Sequence, residues 1–92
     1  MAEGLATRTP FELPQRILRR RLDDFVLVDE DELAAATLLM IDKTRNLIEP
    51  AGAASLAAAL KLADELRGRR VALVASGGNI TLSQLAALLP QR

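Results

Sequence analysis

The strongest constraint on the fold is an alternation of short, β-branched apolar runs with longer stretches rich in leucine and alanine. Phe25–Val28 and Val71–Ala75 have strand character, and a briefer run covers residues 46–48. The first run does not alternate with polar residues, which indicates burial on both faces. Because helix-length stretches separate these runs, the sequence predicts an α/β fold in three layers, with short parallel strands covered by helices.

Local signals predict where the helices begin. Asp29 with Glu32, and Thr81 with Gln84, have the spacing of capping boxes. The first helix is expected to begin with Thr9 as its N-cap and Pro10 at its first position, with Pro14 bending it or delaying its start. The side chains predicted to form its buried face are Ile17, Leu18 and Leu22.

The stretch 51–66 reads as one long helix that Gly68 ends. Its polar residues form only a narrow strip, made of Lys61, Asp64 and Glu65. A helix that is apolar nearly all round belongs inside a larger body, which three short strands and four helices cannot provide. We therefore expect residues 1–92 to form a single incomplete domain.

The composition excludes several classes of function. The chain of 92 residues has no cysteine and no histidine, so disulfides, thiolate or imidazole catalysis and Cys/His zinc sites are excluded, and no metal site is predicted. Twelve basic residues balance 12 acidic ones, and a net charge of zero argues against nucleic-acid and membrane-surface partners. Neither a spanning stretch nor a signal-peptide pattern is evident, so a cytoplasmic protein is expected.

The first candidate binding segment is Ser76-Gly77-Gly78-Asn79, which follows the clearest predicted strand. In open parallel sheets, ligands bind beyond the carboxyl ends of the strands. The glycines would let the backbone approach a flat ligand, and Ser76 offers a rotatable donor and acceptor. A plain strand-to-helix turn that needs glycine for its backbone angles explains the pattern equally well.

The second candidate is Glu49, at the end of a short predicted strand and immediately before Pro50 at a helix start. The positive end of the helix would favour an ionised carboxylate there. Glutamate is a mediocre N-cap, so a functional role is slightly favoured over an ordinary polar residue at a helix start. Ser55 and Ser83 have no base near them in sequence, and a serine nucleophile is not supported.

Four stretches in order resemble the C-terminal part of the threonine/serine ammonia-lyases, fold-type II enzymes that use pyridoxal 5′-phosphate. They are AEGLATRTP at 2–10, LRRRLDDFVLVDEDEL at 18–33, EPAGA at 49–53 and SGGN at 76–79. The resemblance implies deamination of L-threonine to 2-oxobutanoate and ammonia. It also implies a place in the large, cofactor-binding domain of such an enzyme.

The resemblance further implies a set of cofactor-binding residues. In the family, the serine of the turn hydrogen-bonds the pyridine nitrogen of the cofactor, a neutral contact that leaves the ring a milder electron sink. The two glycines would clear space at the ring edge and the asparagine would fix the turn, while the glutamate lies beside the ring and an N-terminal glycine lines the pocket. On this chain these residues are Ser76, Gly77, Gly78, Asn79, Glu49 and Gly4.

The chain departs from the family where the reaction takes place. The Schiff-base lysine in its Ser-x-Lys-x-Arg-Gly motif, the glycine run that holds the phosphate and the segments that grip the substrate carboxylate are absent. Lys43 and Lys61, on predicted helices among polar residues, are poor substitutes. No catalytic residue is therefore predicted, and the 92-residue chain is expected to be inactive alone. It would need the missing N-terminal part as its partner or would associate with itself through apolar faces.

Two alternatives remain open. The chain could be a non-catalytic module that keeps the fold and serves self-association or partner binding, since large apolar surfaces tend to find a partner. The parent enzyme could also be an amino-acid racemase that uses the same cofactor. The residues that separate a racemase from an ammonia-lyase lie outside this chain.

Overall fold

The structure is a computed structural model that describes residues 1–5 and 10–90. Its α-helices are α1 (Glu12–Arg21), α2 (Glu30–Thr44), α3 (Ala54–Lys61), α4 (Ala63–Leu66) and α5 (Leu82–Leu88). Two short 3₁₀ turns, Glu3–Leu5 and Ala51–Ala53, complete the regular structure of the described residues. None of the helices in these two ranges is long and apolar enough to cross a membrane.

Both predicted capping boxes are present. At the start of α2, the Asp29 carboxylate accepts the Glu32 backbone N–H at 2.8 Å, and the Glu32 carboxylate accepts the Asp29 N–H at 2.9 Å. At the start of α5, the Thr81 hydroxyl accepts the Gln84 N–H at 3.1 Å, and the Gln84 side chain accepts the Thr81 N–H at 2.9 Å. Each box satisfies two backbone donors that would otherwise lack partners.

Helix α1 begins later than predicted. Phe11 is its N-cap residue and offers no side-chain cap, so the placement of Pro10 at the first helical position is wrong. Thr9, the predicted cap, lies outside the described residues. Pro14 falls in the first turn, where the missing N–H would have had no partner in the helix.

The buried face predicted for α1 is also wrong, because no residue of this helix is buried. The three side chains that were expected to form that face are 40–51% exposed: Ile17, Leu18 and Leu22. Their apolar spacing is present, but the part of the chain that the structure describes leaves this face about half-exposed.

The short apolar runs do not form strands. Within residues 1–5 and 10–90 no β-strand is formed, and the runs at 25–28, 46–48 and 71–75 have no regular secondary structure. Strand formation needs a neighbouring strand to pair with, and here most side chains of these runs are exposed, although Val28 and Ile48 pack against the core. Phe25, Leu27 and Val74 are 74%, 75% and 76% exposed. The structure of this chain is therefore helical, and the predicted α/β layering is not confirmed.

The core is small and lies where α2 packs against α3 and the preceding 3₁₀ turn. Its buried residues are Leu33, Ala36, Thr37, Pro50, Gly52, Ala53 and Ala57. The Thr37 hydroxyl is satisfied within its own helix, because it donates to the Leu33 carbonyl at 2.7 Å. Four of these seven buried residues are alanine or glycine, so the core buries little apolar area.

The long helix predicted for 51–66 is divided. Leu62 has φ −99° and ψ 16°, which separates α3 from the short α4. Gly68 has φ +78°, and this left-handed conformation after the last turn is the glycine stop that the sequence predicted.

The chain exposes more surface than a compact protein of its size. Its accessible surface is 7641 Å², whereas a globular monomer of 9.9 kDa exposes about 5200 Å². The radius of gyration is 14.3 Å, against about 12 Å for a compact domain of this length. The helices therefore form an open arrangement around a minimal core.

Candidate functional site

The two segments singled out in the sequence lie side by side. The backbone N–H of Glu49 donates to the Gly77 carbonyl at 3.0 Å, so the start of EPAGA contacts the middle of SGGN. Gly52 packs directly on the same turn, since a Cβ built on it would lie 2.6 Å from the Gly77 carbonyl oxygen and 2.9 Å from the Gly77 nitrogen. This backbone contact positions the turn.

Ser76 lies at the surface and lines an open cleft of about 470 Å³. Its hydroxyl makes no hydrogen bond with any residue that the structure describes. The remaining residues that line the cleft are Met40, Thr44, Asn46, Leu47, Ile48, Ala75, Gly77 and Gly78. The hydroxyl is thus available to a ligand on a surface of mixed polarity.

The two glycines of the turn are required because a side chain there would collide with its neighbours, and not because of their backbone angles. In the described ranges, Gly68 alone among the glycines has a positive φ, so Gly77 and Gly78 have conformations open to other residues. A Cβ on Gly77 would collide with Glu49 Oε1, and a Cβ on Gly78 would collide with the Leu47 carbonyl oxygen. The interpretation that the turn needs glycine for its angles is therefore wrong for this structure.

Glu49 is half-buried between the turn and the N-terminal segment. Its Oε1 accepts a long hydrogen bond of 3.4 Å from the Asn79 backbone N–H. Its Oε2 is 3.9 Å from the position of a Cβ on Gly4, which places Gly4 on the other side of the carboxylate. The structure therefore brings Gly4, Glu49, Gly77 and Asn79 together, while Ser76, Gly77 and Gly78 line the adjoining cleft.

Asn79 takes part in the turn through its backbone. Its N–H binds Glu49, and the next N–H, of Ile80, donates to the Gly78 carbonyl at 2.8 Å. The Asn79 side chain makes no hydrogen bond with the described part of the chain. Its role in fixing the turn stays a prediction.

Two side chains that the sequence did not assign make long-range hydrogen bonds, one of them close to Ser76. The Ser55 hydroxyl donates to the Val74 carbonyl at 2.8 Å, two residues before Ser76. The Lys61 ammonium donates to the Leu27 carbonyl at 2.8 Å and lies 3.6 Å from Glu32 Oε1. Both contacts join residues far apart in the chain, so no local motif could have indicated them.

At this site the Ser76 hydroxyl, which can accept or donate a hydrogen bond, lies at the cleft. Gly77 and Gly78 bring the backbone close to the cleft, and the Glu49 carboxylate lies behind the turn. The chain belongs to the family described as pyridoxal-phosphate dependent enzyme, whose profile matches residues 1–77. Pyridoxal phosphate is the cofactor of that family, which confirms the cofactor predicted for the parent enzyme.

Individual relatives confirm the resemblance to the threonine ammonia-lyases. The chain is 34% identical over 89 residues to an L-threonine ammonia-lyase of Thermotoga maritima, which is 97% of this chain and 22% of that enzyme. It is 36% identical over 90 residues to the L-threonine dehydratase catabolic TdcB of Escherichia coli K12, with 96% and 27% covered.

A serine racemase of Dictyostelium discoideum is as similar, at 36% identity over 91 residues, with 97% of this chain and 28% of the racemase covered. The chain spans about a quarter of the length of these relatives. All three relatives are named as enzymes of amino-acid chemistry.

Proposed function

We propose that this chain forms the ring-side wall of the cofactor site of a threonine/serine ammonia-lyase, which converts L-threonine to 2-oxobutanoate and ammonia. In this proposal residues 1–92 are one incomplete domain, and the rest of the enzyme supplies the reacting groups. The single observation that carries it is the Ser76 hydroxyl, which faces a cleft beside a turn that is tied to Glu49.

The residues present fit the cofactor. A hydroxyl can donate to a pyridine nitrogen or accept from it, and the Ser76 hydroxyl has no competing partner among the described residues. The residues that would hold the ring are Ser76, Gly77, Gly78, Asn79, Glu49 and Gly4. Pyridoxal phosphate, when bound, takes up the electron pair left when the substrate loses its α-proton. Ser76 would orient the ring through a neutral hydrogen bond, and Gly77 and Gly78 would keep the backbone close to its edge.

The amine that this chemistry requires has no candidate in the chain. The Lys43 side chain is 72% exposed, and its Nζ lies 3.7 Å from Asp42 Oδ2. Lys61 is bonded to the Leu27 carbonyl, and neither lysine lines the Ser76 cleft. We therefore infer that the chain alone does not catalyse the lyase reaction.

The exposed surface supports an incomplete domain. The chain exposes about 2400 Å² more than a compact monomer of its mass, and the apolar runs at 25–28 and 71–75 contribute to this surface. In the whole enzyme these runs would gain strand neighbours, and the α/β layering indicated by the sequence would then form.

A hybrid enzyme tests the proposal. The 89 aligned residues of the Thermotoga maritima enzyme are replaced by this chain, and the visible absorbance of bound cofactor and the 2-oxobutanoate formed from L-threonine are measured. Ser76→Ala should weaken cofactor binding by about 2- to 10-fold, since one net hydrogen bond contributes about 0.5–1.5 kcal/mol. Ser83→Ala, which removes an exposed hydroxyl from α5, is the matched control.

The outcomes separate the alternatives. Turnover of L-threonine by the isolated 92-residue chain with added cofactor would contradict the proposal that the site in this chain is incomplete. Cofactor absorbance and affinity that do not respond to Ser76→Ala would refute the ring-side role and favour the non-catalytic module, which the large exposed surface also suits. The similarity to a serine racemase calls for one further assay, in which L-serine is supplied and D-serine is measured.

A further inference from the structure

Ser76 lies between two anchor points on its own segment. On one side the Ser55 hydroxyl holds the Val74 carbonyl at 2.8 Å, and on the other the Glu49 backbone N–H holds the Gly77 carbonyl at 3.0 Å. The Glu49 anchor is made by the backbone and persists whatever side chain is present. The Ser55 anchor depends on one hydroxyl.

In the 92-residue chain the segment relies on such anchors because it has no regular secondary structure there. Residues 71–80 form neither helix nor strand, and Val74 is 76% exposed. In this structure neither a ladder of backbone hydrogen bonds nor buried side chains restrain the backbone before Ser76, and in the whole enzyme the Ser55 bond would act beside the strand pairing proposed for residues 71–75.

Ser55 lies beside the buried core. It lies at the second position of α3, between Ala53 and Ala57, which are 0% and 2% exposed and form part of the core against α2. Its hydroxyl donates across 19 residues to the 71–80 segment instead of to the carbonyls of its own helix. The hydrogen bond therefore holds the residues that precede Ser76 against α3.

We propose that Ser55 is a positioning residue, which orients Ser76 by holding the Val74 carbonyl against α3. This inference rests on the proposed function, because it concerns the hydroxyl assigned to the cofactor ring. Ser55 itself does not line the Ser76 cleft, so its effect on the cofactor passes through Ser76.

The first test measures the hydrogen bond in the 92-residue chain by NMR. The carbonyl ¹³C shift of Val74 should move in Ser55→Ala and stay close to its original value in Ser55→Thr, which retains the hydroxyl. Ser83→Ala should leave that shift unchanged. A Val74 shift that is the same in Ser55→Ala and in the original chain would overturn the proposal, and this reading needs no cofactor.

The second test measures the dissociation constant of pyridoxal phosphate in the hybrid holoenzyme. Ser55→Ala should raise it by about 2- to 10-fold, the effect of one lost hydrogen bond, and Ser55→Thr should restore most of the affinity. Because Ser55 acts through Ser76, adding Ser55→Ala to Ser76→Ala should cause no further loss. If the factors by which Ser55→Ala and Ser76→Ala weaken cofactor binding multiply in the double variant, Ser55 has a merely structural role. That result would overturn the proposal.

The two proposals fail in different ways. If Ser76→Ala leaves the dissociation constant unchanged, the proposed function fails. If Ser76→Ala weakens binding while Ser55→Ala does not, only the positioning role of Ser55 fails.

Discussion

Gly77→Ala tests whether the Glu49 carboxylate occupies the space above the turn. The new Cβ would collide with Glu49 Oε1 and lie 3.3 Å from Glu49 Cδ, so the carboxylate must move away. Because Oε1 is the far end of a flexible, half-buried side chain, the cost should be about 1 kcal/mol or less, at the lower end of the range of about 1–3 kcal/mol for overpacking in a well-packed core. If the strained turn presents Ser76 poorly, the cofactor dissociation constant should rise by up to about 5-fold, which stays within the loss expected for removing the Ser76 hydroxyl altogether.

The assay is a double-mutant cycle in the hybrid enzyme, with the cofactor titrated by absorbance. The factor by which Gly77→Ala weakens binding is measured once with Glu49 present and once in Glu49→Ala, where the obstacle is gone. It should be much smaller in the second background. Gly52→Ala is the matched control, because its Cβ would meet the backbone of Gly77, which Glu49→Ala cannot remove. Equal Gly77→Ala factors in the two backgrounds would refute the reasoning.

Two further predictions concern the scaffold of the site. Asp29→Ala removes the capping box of α2 and should destabilise this helix by about 1 kcal/mol, seen as lower helix content by circular dichroism than in Asp31→Ala; equal losses would contradict the role of the cap. Lys61→Met removes the hydrogen bond to the Leu27 carbonyl and should shift the ¹³C resonance of that carbonyl. It should lower the free energy of unfolding by about 0.5–1.5 kcal/mol, since the half-exposed ion pair with Glu32 adds little. Lys43→Met is its control, and an unmoved Leu27 resonance in Lys61→Met would contradict the contact.

The features that the sequence predicted correctly are local. The capping boxes of α2 and α5 join residues three apart, so the residue types and their spacing suffice to form them. The glycine stop at Gly68 likewise depends on the backbone of one residue. The family was also readable, because its motifs are short and occur in a fixed order along the chain.

The predicted features that the structure does not show depend on neighbouring structural elements. The apolar runs at 25–28 and 71–75 have the composition of strands, but a strand exists only when another strand supplies its hydrogen bonds. The apolar face of α1 stays about half-exposed for the same reason, since no described element packs closely enough to bury its residues. Composition predicts that such a surface can be buried, and only the neighbouring elements decide whether it is.

The amino-acid sequence by itself determined the helix boundaries at Asp29, Thr81 and Gly68, the cofactor family and the residues to inspect. Only the tertiary structure decided that Glu49 fills the space above Gly77 and that Ser55 holds the Val74 carbonyl. The physical reason is distance along the chain. Contacts between residues 19 or more apart form only when the packed helices bring them together, and no local pattern encodes that geometry.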